Sequence, residues 1–294
     1  MHATGACGQG GGSGGDSVAL RLLCINAGAA CPCDGLTTLV AMPSARSALL
    51  DALRGLAMLW MTVFHFCFDL NHFGYIQQDF YRNPVWTWQR TLIVSLFLFC
   101  AGLGQAFARD QGLGWPRFWR RWLQVAGAAM LVTLGSWWMY PNSFIYFGVL
   151  HGMALMLIVT RFTAHWGGWL WPLGGLAIAS KFIAYYALSV WAGGQLDAFF
   201  NGPTLNWLGW ITQKPFTEDY VPLFPWLGVM WWGVAAGQTL QQHGQRLNGR
   251  PLPAALQPLA VLGRWSLSYY MLHQPVLIGA LMLLGWLTTG GPRH

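Results

Sequence analysis

About seven apolar stretches, each near the twenty residues that a helix needs to cross roughly 30 Å of hydrocarbon, recur along this chain. They lie near 49–70, 88–108, 119–139, 144–163, 168–192, 221–240 and 259–287. In lipid every backbone N–H and C=O must be satisfied internally, so such runs are helices unless they close into a barrel. None shows the alternation of a barrel strand. The expected fold is all-α: a polytopic transmembrane bundle of about seven (six to nine) helices. The fifth and seventh stretches are long enough to be tilted, broken or two shorter helices.

Composition agrees. Only 9% of the 294 residues are charged and 55% are hydrophobic, against about a quarter charged in a soluble domain. The net charge of +7 would suit nucleic acid in a soluble protein. Here the arginines sit in short loops between apolar runs, the positive-inside pattern, so no nucleic-acid partner is expected. Arg46 and Arg54 flank the first run. Arg109, Arg117, Arg120 and Arg121 join the second and third, Arg161 follows the fourth, and Arg246, Arg250 and Arg264 join the sixth and seventh. The alternate loops hold Arg82, Arg90 and Lys214, offset by Asp79, Asp197, Glu218 and Asp219. This places the N-terminus in the cytoplasm and, with an odd helix count, the C-terminus outside.

Residues 1–41 form a Gly-rich extension carrying Cys7, Cys24, Cys31 and Cys33, with no second pair at metal-ligand spacing. They read as a disordered extension ahead of one membrane domain, 42–290. Cys67 and Cys100 fall inside apolar helices and read as packing residues.

The polar residues inside the first run point to chemistry. Arg54, His65, Asp69 and His72 fall within roughly 60° of one another at 100° per residue. Ionisable groups in a membrane helix are costly, so this stripe faces a bundle interior or a water-filled cavity. Asp69 is one turn from His65, where it can orient the ring. His65 lies about 16 Å beyond Arg54, in the outer half of the bilayer. His151 at the start of the fourth run and His273 in the seventh approach the same depth. Ser266, Tyr269 and His273 share one helix face at three- and four-residue steps. A metal site of His65, Asp69 and His72 would lack a fourth ligand, and no metal or permanently bound cofactor is expected. His2, His165, His243 and His294 sit in tails or loops and read as solvated.

Five stretches in order, LLDALRGLAMLWMTVFHFCFDL, FLFCAGLGQAF, FGVLHGMAL, VPLFPWLGVMWWGVAAG and LGRWSLSYYMLHQPVLI, resemble the bacterial heparan-alpha-glucosaminide N-acetyltransferase-like membrane family. The likeness runs from about Leu49 to Leu284. The ten residues between Arg54 and His65 also resemble the wider superfamily of acyltransferase-three membrane proteins. The resemblance implies a multi-pass bacterial inner-membrane enzyme. It would move an acyl group, acetyl by the family, from cytoplasmic acyl-CoA as co-substrate to a glycan or glycolipid-like hydroxyl or amine outside. In the wider superfamily the position of His65 is catalytic. The eukaryotic heparan enzymes place their active His later, nearest to His72 here, so both stay in view. Arg54 would meet the donor, and His151, Ser266, Tyr269 and His273 would line the site. The competing readings are a proton-coupled transporter or flippase that uses the same polar column as a relay, and a non-catalytic membrane subunit.

Overall fold

The computed structural model describes residues 47–190, 195–243 and 252–289. The expectations for 1–41 and its cysteines, and for Arg46, Arg246, Arg250, His2 and His294, lie outside the described residues.

The first helix, α1 (Ala48–His72), starts where Ser47 accepts a hydrogen bond from the Leu50 N–H. α2 (Pro84–Asp110) starts behind Asn83, whose side chain accepts from Val85 N–H, with proline in the first turn. α3 (Trp115–Met139) follows a turn at Gly112, and α4 (Val149–Thr163) enters from a clasp of loops. A 3₁₀ segment, Ala164–Trp169, reverses the chain at Gly167, whose φ of 60° suits glycine. Then come α5 (Leu170–Val190), the short α6 (Gln195–Asn201), α7 (Leu223–Gln242), the amphipathic α8 (Gln257–Arg264) and α9 (Ser266–Thr289). Among the described residues there is no strand, only an isolated bridge between Phe147 and Tyr220.

Among the described residues, four segments are long and apolar enough to cross a membrane: Ala48–His72, Pro84–Asp110, Val149–Val190 and Ser266–Thr288. Two expected spans change shape. The run near 144–163 yields a helix only from Val149, about 22 Å long, shorter than a bilayer core. It forms one helical hairpin with α5. The run near 259–287 breaks at Trp265 into α8 and α9.

Side-chain registers fix the directions. Gly104 faces Arg54 and Leu50, while Gln89 accepts from Trp60 Nε1, so α1 and α2 are antiparallel. Phe99 meets Gly233 and Ala106 meets Gly237, so α2 and α7 run parallel. Thr62 pairs with Tyr269 and Asp69 with Gln274, so α1 and α9 also run parallel. Small residues allow the closest approaches, as expected where lipid supplies no hydrophobic drive. A Cβ on Gly55 would overlap the Leu259 carbonyl, and one on Gly263 the Asp51 carbonyl, so α8 lies backbone to backbone on the first turns of α1. The core is centred on α7, with Met230 and Val234 fully buried against Leu98 and Met156. Cys100 is buried and Cys67 half-buried, both as free thiols, in keeping with packing roles.

Candidate active site

The bundle has a basic end and a mixed-charge end. At the basic end Arg54 bonds Asp51 at 3.3 Å, and Arg264 of α8 reaches the other Asp51 oxygen at 3.7 Å. Arg121 adds a further positive charge nearby. A cationic pair shares one carboxylate here, which leaves net positive charge at the start of the α1 stripe.

Farther along, α1 and α9 enclose the polar centre. His273 is buried, and its Nδ1 lies 2.6 Å from the Tyr270 carbonyl. A carbonyl only accepts, so Nδ1 carries the proton and Nε2 holds a lone pair. That Nε2 is buried with no hydrogen-bond partner. The His65 and His273 rings pack with centroids 5.2 Å apart and planes tilted by 60°, and the Tyr269 ring stacks on that of His273 at 6.1 Å. The Tyr269 hydroxyl donates to Thr62 Oγ1 at 2.7 Å, because the Thr62 hydroxyl is committed to the Met58 carbonyl. Ser266 is buried in the first turn of α9. Pro275 has no N–H to give Met271, which opens the helix two residues beyond His273.

Asp69 is brought to this centre through a partner the spacing did not reveal. Its Oδ1 accepts from Gln274 Nε2 at 2.9 Å, whereas Oδ2 and Gln274 Oε1 have no partner. Asp69 makes no hydrogen bond to His65 among the described residues, so the expected Asp69-to-His65 orienting bond is replaced by one to the neighbour of His273. The signal for Gln274 was its place beside His273 in an otherwise apolar run.

His72 and His151 are not drawn into this cluster. His72 is exposed at the last turn of α1, with its ring edge-on to Phe73. His151 serves α4 itself. Its Nδ1 accepts from Gly148 N–H at 3.4 Å, and Nε2 then donates to Thr133 Oγ1 at 3.0 Å. Both ring nitrogens are committed, so the expectation that His151 lines the site gives way to a capping role. His165 and His243 are exposed and bond only backbone carbonyls of their own segments.

Asp219, read from sequence only as a loop charge, is the polar anchor of the mixed-charge end. Its Oδ2 accepts from Val149 N–H at 2.7 Å, at the N-terminus of α4. Burial pushes its carboxyl above the ordinary carboxylate range, while Val149, Lys214 and Arg90 pull the other way. Around it the loops clasp: Glu218 N–H donates to the Ser143 carbonyl and Val221 N–H to that of Phe147. Among the described residues no group of three or more His, Cys, Asp or Glu is placed to hold a metal.

Comparison with known proteins finds no match among curated proteins and none among solved structures. A family model described as "Heparan-alpha-glucosaminide N-acetyltransferase, catalytic" matches residues 46–275, a stretch that contains both Arg54 and the His65–His273 centre. The chain therefore belongs to the heparan-alpha-glucosaminide N-acetyltransferase catalytic family and is, in general terms, a membrane acetyltransferase.

Proposed function

We propose that this protein takes an acetyl group from cytoplasmic acetyl-CoA and delivers it to a hydroxyl or amine of a carbohydrate-like acceptor on the outer side of a bacterial inner membrane. The catalytic domain spans about 42–290. The observation that supports this best is the buried, unpartnered Nε2 of His273, on a ring packed beside that of His65.

The basic end receives the donor, because Arg54 and Arg264 share a single carboxylate and can meet phosphate. His65 lies about 16 Å farther along α1, a distance that the flexible pantetheine arm of CoA can cross. The acceptor enters from the opposite mouth. His273 Nε2 takes the proton from the acceptor O–H or N–H, and the freed lone pair forms a bond to the thioester carbonyl carbon. The C–S bond breaks and the CoA thiolate leaves. The His273 imidazolium passes that proton to the adjacent His65, which gives it to the thiolate. Asp69 lies one turn away, bonded to Gln274, and its carboxylate favours the positive charge that the imidazole pair holds during transfer.

The test is transfer of radiolabelled acetyl from acetyl-CoA by the purified protein in lipid. His65→Ala and His273→Ala should each cost about 10²–10⁴ in rate with membrane abundance near wild type. Substantial transfer by either variant would overturn the pair mechanism. Loss confined to His72→Ala would move the chemistry to the outer His. Gradient-coupled solute flux without acetylated product would favour a transporter.

A further inference from the structure

Beyond His72 the chain folds back over residues 71–81 and leaves a cleft of about 570 Å³. The cleft is shallow and open to solvent. Its polar wall is Asn71, Gln77, Gln78 and Asp79, and Tyr81 supplies an aromatic side. The cleft is built on the end of α1, the helix that carries His65. Asn71 follows Asp69 by two residues, and its Oδ1 closes the loop by accepting from Gln78 N–H at 2.6 Å. Phe80 is buried beneath, edge-on to Phe64 and stacked on Trp86 with centroids 4.2 Å apart. Phe64 is the neighbour of His65 in sequence.

We propose, resting on the acetyltransferase reading above, that this cleft is the acceptor subsite and takes an uncharged saccharide unit rather than a sulfated or uronate chain. The Gln77 and Gln78 side chains and the Asn71 Nδ2 make no hydrogen bond within the described protein. Amides both donate and accept, which suits sugar hydroxyls. Tyr81 is 62% exposed, and its ring matches the apolar C–H face of a pyranose. Asp79 holds the backbone N–H groups of Tyr81 and Arg82 with one oxygen, leaving the other for a hydroxyl. Recognition of a polyanion needs clustered guanidinium or ammonium groups. Among the described residues no Arg, Lys or His lines the cleft, and Asp79 would repel a sulfate. Lys214 borders it from outside, with Nζ 5.7 Å from the Tyr81 ring centroid. The unit seated in the cleft would lie about 10 Å, seven residues of helix, above His65, so the adjoining unit of the same acceptor is the one that reaches His273 Nε2.

The test uses the full chain in lipid nanodiscs with two probes, cellobiose and a sulfated uronate–glucosamine disaccharide. Binding is followed by saturation-transfer NMR, and acetyl transfer is followed separately by release of the CoA thiol. Cellobiose should bind at least tenfold more tightly than the sulfated probe. The double variant Gln77→Ala/Tyr81→Ala should weaken cellobiose at least tenfold, and Tyr81→Phe should restore binding in the Gln77 background. Absence of cellobiose binding, equal binding by the double variant, or preference for the sulfated probe would overturn the proposal. If cleft variants leave the acceptor KM unchanged in an enzyme that still transfers acetyl, the subsite falls alone. If cellobiose binds in the cleft but no saccharide is acetylated, the acetyl-transfer reading falls and with it the acceptor role, leaving a saccharide-binding cleft.

Discussion

Replacing His151 by alanine separates a capping histidine from a catalytic one. The structure commits both ring nitrogens, one to the Gly148 N–H and one to Thr133 Oγ1. Losing an N-terminal cap costs about 0.5–2 kcal/mol, and a net intramolecular hydrogen bond is worth about 0.5–1.5 kcal/mol. The cap bond here is long, at 3.4 Å, so its share lies at the low end. Thr133 keeps its donation to the Ile145 carbonyl, so no hydroxyl is stranded. The expected loss is about 1–2 kcal/mol, read as a Tm lower by a few degrees in thermal unfolding of the detergent-solubilised protein. The kcat should stay within about threefold of wild type, far from the 10²–10⁴ of a lost general base. His151→Asn, which can still accept from the Gly148 N–H, should recover part of the stability. A loss of a hundredfold or more in kcat with an unchanged Tm would refute the capping assignment and return His151 to the site.

Arg54→Gln should raise the KM for acetyl-CoA at least tenfold while lowering kcat less, since Arg54 sits about 16 Å from the reacting pair; a kcat loss with constant KM would place Arg54 elsewhere in the mechanism. Asp219 has its carboxyl pushed up by burial, so the folded state binds its proton more tightly than the unfolded chain does. The stability it contributes is complete below the ordinary carboxylate range and declines as pH rises through the elevated folded value. Asp219→Asn keeps an acceptor for the Val149 N–H and should flatten that decline in melts taken between about pH 4 and 8; an unchanged or steeper pH slope would contradict it. For orientation, a variant without native Cys should be labelled from outside intact cells at Gln213→Cys and not at Gly112→Cys; the reverse pattern would invert the proposed topology.

Much of the candidate site was legible because charge is costly in a membrane. Arg54, His65 and Asp69 stand out only when an apolar helix is assumed, and the structure keeps them on one helix, α1. Ser266, Tyr269 and His273 were likewise readable from their spacing, and Tyr269 and His273 do meet α1. What a single helix cannot encode is its register against another. Spacing of four allowed Asp69 to reach His65; the register of α9 brings Gln274 closer and gives it the carboxylate instead. The same limit explains His151. The apolar letters FIYFGV near 144–149 read as more helix, but residues 143–147 bond to residues 217–221, and α4 starts only at Val149. That later start puts His151 in the first turn, where an imidazole beside a free N–H becomes a cap.

The proposal of a His65–His273 pair in place of His65 alone rests on hydrogen bonding rather than on position. A ring without a fixed partner can present either nitrogen, whereas a ring anchored through Nδ1 presents one lone pair in one direction. Burial without a partner is expensive for that lone pair, and Asp69 Oδ2 and Gln274 Oε1 share the same condition close by. Three unsatisfied polar atoms on two facing helices are hard to reconcile with a purely structural contact, which would be repaired by a single apolar substitution. They are accounted for together if the centre is completed by an acceptor hydroxyl or amine, which donates to His273 Nε2 and brings the atom that attacks the thioester.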